Sequence, residues 1–153
     1  MRVLPNTCLI AALSLTAFPV SASEWTHNTL MLGQFEGSLD NKAEGSFLHY
    51  SCSGMSSTVS FSVSGLHIAA GKSVVEVDGI QVFEGNTVYN SSWDETSISS
   101  RVQADWGQVQ KDNHNRIIDA LASGAEAVWT TPNEESFTFN LEGSSDIRNC
   151  KVK

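Results

Sequence analysis

Ser73-Val74-Val75-Glu76-Val77-Asp78-Gly79-Ile80-Gln81-Val82-Phe83 is the stretch on which the fold turns. Two runs rich in β-branched residues flank Asp78-Gly79, and the central residues of a two-residue hairpin loop need the positive φ that this pair tolerates. The stretch therefore predicts a tight β-hairpin. Upstream, Val59, Phe61 and Val63 alternate with Ser60, Ser62 and Ser64, the period of a strand with one buried and one wet face. Phe47 to Cys52 is its expected partner, with the turn-rich Ser53-Gly54-Met55-Ser56-Ser57 between them.

Downstream, Thr87–Trp93 and Ser97–Gln103 are two further candidate strands. Ala127–Thr130 and Ser136–Leu141 read as another pair, joined by Thr131-Pro132-Asn133-Glu134-Glu135. One segment carries helical spacing, from about Asn115 to Ser123. There Ile117, Ile118, Leu121 and Ala122 share a face, Asp112 or Asn113 is the expected cap, and Gly124 the expected stop. Nearer the start, Glu24–Phe35 suits one strand anchored by Trp25, Leu30, Leu32 and Phe35, followed by a loop over Gly37–Gly45. Many short strands with one short helix predict an all-β or β-rich α+β fold, a β-sandwich or partly closed barrel.

The first 22 residues have the layout of a cleavable signal peptide: Arg2, an apolar run from Cys8 to Phe18, then Val20-Ser21-Ala22, which sets cleavage after Ala22. That run is 11 residues long, and crossing a bilayer takes roughly 20. No integral membrane segment is expected after cleavage. A lipid-accepting cysteine would follow the apolar run, whereas Cys8 opens it. The expected product, residues 23–153, is a single β-rich domain in the periplasm or secreted.

Without residues 1–22 the chain carries eight Lys and Arg against 17 Asp and Glu, a formal charge of −9. Such a surface repels phosphate backbones and anionic lipid heads, so nucleic acid is excluded as a partner and a basic or neutral protein is favoured. Two cysteines remain, Cys52 and Cys150, and an exported pair is expected to be joined.

Motifs for chemistry are sparse. There is no His-Glu-x-x-His, Cys-x-x-Cys, P-loop or Gly-x-Ser-x-Gly, so no catalytic residue, metal ligand or cofactor is assigned. His27, His49, His67 and His114 are too dispersed for a local metal signature. His114 stands near Asp112 and Asp119, whose carboxylates suit capping and an exposed helix face better than acid–base work. Asn90-Ser91-Ser92 matches a glycosylation sequon, which matters only in a host that modifies such sites.

The tryptophans say more. Trp129, with Phe137 and Phe139, fits the core. Trp93 and Trp106 instead sit in polar surroundings, Ser91-Ser92-Trp93-Asp94-Glu95 and Asp105-Trp106-Gly107. An exposed indole beside carboxylates holds a partner by stacking or through a cationic side chain. Trp93, Asp94, Glu95 and Trp106 are therefore the candidate binding residues.

With Trp25, the Leu48–Cys52 strand, Val77-Asp78-Gly79, Trp93, Leu121-Ala122-Ser123-Gly124 and Phe137-x-Phe139-x-Leu141-x-Gly143 running to Cys150, the chain resembles small periplasmic proteins of the invasion-associated locus B type. It also resembles accessory proteins associated with type VI secretion. The resemblance implies a disulfide-closed β domain with an envelope or host-interaction role. Tyr50-Ser51-Cys52 is further similar to lysozyme-inhibitor domains, although their Ser-Gly-x-x-Tyr element is missing. The expected function is a non-enzymatic binding or accessory protein of the bacterial envelope. The alternatives are an inhibitor of a host or competitor hydrolase and a small secreted enzyme.

Overall fold

The computed structural model describes residues 24–30, 33–42 and 44–153. The proposed signal segment and Leu32 lie outside the described residues. In chain order the strands are β1 (Trp25–Leu30), β2 (Gln34–Asn41), β3 (Ser46–Cys52), β4 (Ser56–Ser64), β5 (Lys72–Val77), β6 (Ile80–Asn86), β7 (Val88–Asn90) and β8 (Glu95–Gln103). Helix α1 (Gln108–Ser123), β9 (Glu126–Thr130), β10 (Ser136–Asn140) and a 3-10 helix (Ser144–Cys150) complete the chain.

Asp78 and Gly79 take φ of 51° and 76°, as the hairpin between β5 and β6 requires. That hairpin joins β9 and β10 in a four-stranded antiparallel sheet of order β10-β9-β5-β6. The other six strands form a second antiparallel sheet, β1-β2-β3-β4-β8-β7, and neither sheet closes into a barrel. Alternation decides the inner faces. Leu48 and Tyr50 on β3, Val59, Phe61 and Val63 on β4, and Ile98 on β8 are buried, as are Val75, Val77, Trp129, Phe137 and Phe139 of the smaller sheet. Phe61 meets Phe139 edge to face across the layers at 5.4 Å, so the two sheets share one core.

Helix α1 buries Ile117, Ile118, Leu121 and Ala122 against that core, the stripe expected from spacing. It begins seven residues earlier than expected, at Gln108, with Gly107 rather than Asp112 or Asn113 at its start. Its first two turns are polar and largely exposed, so no apolar period marks them. Gly124 ends it as expected, in extended backbone.

Three further expectations are corrected. Glu24–Phe35 holds parts of two strands, and β2 continues through Gly37 to Asn41 where a loop was expected. Pairing on both sides, with β1 and with β3, overrides the weak strand preference of that segment. Thr87–Trp93 is not one strand: β7 stops at Asn90, and buried Thr87 passes the chain from one sheet to the other. Its Oγ1 donates to the Ala69 carbonyl at 2.9 Å, which anchors the crossing. The 3-10 helix at the end was not anticipated. It carries Cys150 to Cys52, and the disulfide joins them with Cα atoms 5.3 Å apart.

Candidate functional site

The turn from β7 to β8 holds Trp93 out from the protein, 76% exposed. Local bonds fix it there. The Asn90 side chain accepts from the Ser92 amide at 3.0 Å, and the Trp93 amide donates to the Asn90 carbonyl at 3.3 Å. Asp94 lies in the left-handed region with φ 48°, and its carbonyl accepts from the Gly65 amide at 2.7 Å. The Tyr89 hydroxyl donates to Asp94 Oδ1 at 2.9 Å, and that bond raises the phenol above its usual pKa, with smaller additions from desolvation and charge. The His67 ring stacks on Tyr89 at 4.1 Å. Val88 is exposed beside them, and Glu95 is half-buried as β8 begins. The result is an exposed indole on a hydrogen-bonded acidic turn.

Trp106 belongs elsewhere. It follows the far end of β8, and nine strand residues at about 3.3 Å each put it roughly 30 Å from the Trp93 turn. The expected set of Trp93, Asp94, Glu95 and Trp106 is thus divided between opposite ends of one strand. Trp106 is 42% exposed and shares its end with exposed Met55 and Val109, where the Ala104 amide donates to the Met55 carbonyl at 2.9 Å. Trp129, Phe137 and Phe139 are buried, as their alternation implied.

Two histidines make contacts that the sequence did not signal. His114 is turned inward rather than toward Asp112 and Asp119, which bind Gln108 and Lys151 instead. Its Nε2 lies 2.7 Å from Ser57 Oγ and its Nδ1 2.9 Å from Ser100 Oγ. A hydroxyl against an imidazole is the pairing of an activated nucleophile. Here Ser57 and His114 are sealed in the interior, out of reach of substrate, and burial pushes the imidazole down to about 4. The arrangement is a neutral buried bridge between α1, β4 and β8.

His27 Nε2 lies 3.1 Å from the Gly143 carbonyl, which only accepts, so Nε2 carries a proton, and Nδ1 shares a hydrogen bond with the Tyr50 hydroxyl at 2.8 Å. Trp25 stacks on the His27 ring. Burial, aided by the charge of Asp146, pushes the Tyr50 phenol up to about 12, so it stays protonated. Among the described residues no three His, Cys, Asp or Glu side chains gather as metal ligands.

A groove of about 360 Å³ opens between the β5–β6 hairpin and α1. Val77, Ile80, Val82 and Ala120 supply apolar walls, with Asp78 and Arg116 among its lining residues. Sequence reading missed it. Its only signal was the small and polar stripe Arg116, Ala120 and Ser123 at helical spacing beside the buried Ile117 and Ile118.

No family model, curated protein or solved structure matches the chain. Among the described residues no helix is long and apolar enough to cross a membrane.

Proposed function

We propose that the protein is an exported, disulfide-closed binding or accessory protein of the bacterial envelope, periplasmic or secreted, that holds a basic or neutral protein partner through the Trp93 turn. The observation that carries this reading is the 76% exposed indole on a turn fixed by Asn90, Asp94 and Tyr89. A tryptophan carried on a hydrogen-bonded backbone turn has few side-chain torsions to restrict when it docks, and such aromatic anchors dominate interface energies. Asp94 and Glu95 add negative charge beside the ring, which favours a cationic contact. The experiment is affinity capture from a periplasmic or culture extract with wild-type and W93A baits. A partner held by the first and lost by the second supports the reading.

A second reading rests on the same protrusion: a turn led by a tryptophan is a shape that enters the basic or neutral cleft of a hydrolase, and lysozyme is the hydrolase to test. Inhibition of lysozyme by the wild type and not by W93A favours that version. Capture without inhibition favours the accessory role.

A further inference from the structure

The groove beside α1 has the features of a second binding site. Strand β6 is the outer strand of its sheet, so one side of its backbone has no strand partner among the described residues. The β5–β6 ladder shifts between Val75 and Glu76, which leaves Val82 as the extra residue of a bulge, a device common where an edge is shaped for contact. At its closed end, Gly124 packs so tightly on Val77 that a Cβ there would overlap it. From Gly124 back to Arg116 the helix runs about 12 Å, the length of three to four extended residues.

The charges along it are unequal. Asp78 already accepts from the amides of Ala125 and Glu126, its Oδ1 at 3.1 and 3.0 Å. Outside the groove, Lys72, Lys151 and Arg148 are engaged by Glu84, Asp119 and Ser123, while Lys42 and Arg101 make no ion pair with the described residues; Arg116 is the cation among the groove's lining residues. The Arg116 side chain makes no ion pair or hydrogen bond with the described residues. This exposed guanidinium beside apolar walls is free to pair with an anion, on a protein of net charge −8.

We propose that this groove takes the carboxyl-terminal residues of a partner protein in extended form. The segment adds to the free edge of β6 at Ile80–Val82, an apolar last side chain enters between Val82 and Ala120, and the terminal carboxylate meets Arg116. Backbone pairing supplies affinity and the end pocket supplies selection.

The test is a selection on the intact, disulfide-bonded protein with two matched pools of random tetrapeptides, one with free carboxyl termini and one amidated. Decanoate is a third probe. The free-carboxyl pool is expected to enrich apolar last residues and the amidated pool to enrich nothing. R116Q, with an unchanged circular dichroism melt, is expected to weaken the best peptide by about tenfold or more, the loss of one charge-assisted pair. W93A is expected to bind that peptide normally, which separates this site from the Trp93 turn. Equal enrichment of both pools, no enrichment, no effect of R116Q, or decanoate binding as tightly as the best peptide would each overturn the proposal.

Discussion

His114 shows how much one side chain commits the fold to a charge state. Held between Ser57 and Ser100, it can donate through one ring nitrogen and accept through the other only while neutral. In the unfolded chain it takes up a proton near pH 6.5, whereas burial delays this in the native protein to about 4. Its contribution is therefore complete above pH 6.5 and is lost as the pH falls toward 4, by at most about 3 kcal/mol. Urea denaturation of the wild type and H114Q between pH 7 and 4 should show a steeper fall for the wild type. Parallel curves would mean that the imidazole does not stay neutral. Gly37 is a second such residue, because a Cβ there would sit 2.5 Å from the Tyr50 ring and 2.8 Å from the Thr26 carbonyl. G37A should lower stability by about 1 to 3 kcal/mol through overpacking, read as a drop in Tm, and an unchanged Tm would show that β1 and Tyr50 yield freely.

At the scale of elements, legibility followed burial. The β5–β6 hairpin and the β3–β4 pair were readable because each carries an alternating apolar face or an obligate turn pair. The segment Glu36–Asn41 was not, since it holds Gly37, Asp40 and Asn41 and buries only Gly37 and Leu39; its strand form comes from neighbours distant in sequence. The opening turns of α1 were hidden for the same reason, being polar and uncapped by any side chain. Sites divided likewise. Exposure of Trp93 was legible from its polar neighbours, but its separation from Trp106 depends on β8 running unbroken between them. The inward turn of His114 depends on Ser57 and Ser100, and the groove on the approach of α1 to β6, both products of tertiary packing.

For the whole molecule, the disulfide ties the end of β3 to the terminal 3-10 helix across 98 positions of sequence. Closing a loop of that size restricts the unfolded chain by about 4 to 5 kcal/mol on the chain-entropy estimate, comparable to the net stability of a small domain. Guanidinium denaturation of C52A/C150A should reveal a loss of several kcal/mol, and a loss below about 1 kcal/mol would show that the two sheets hold the fold without the bridge. At the other end of β8 from that bridge, the Trp93 turn is held by its own hydrogen bonds and carries the exposed indole on which the proposed binding rests. The most direct measurement pairs the equilibrium stability of W93A with its Kd for the captured partner, using W129A as the core control. If the Trp93 turn is the binding surface, W93A keeps a stability within about 0.5 kcal/mol of the wild type and its affinity weakens about thirtyfold, while W129A loses about 3 to 5 kcal/mol of stability. Full affinity in W93A, or a stability loss as large as that of W129A, would contradict it.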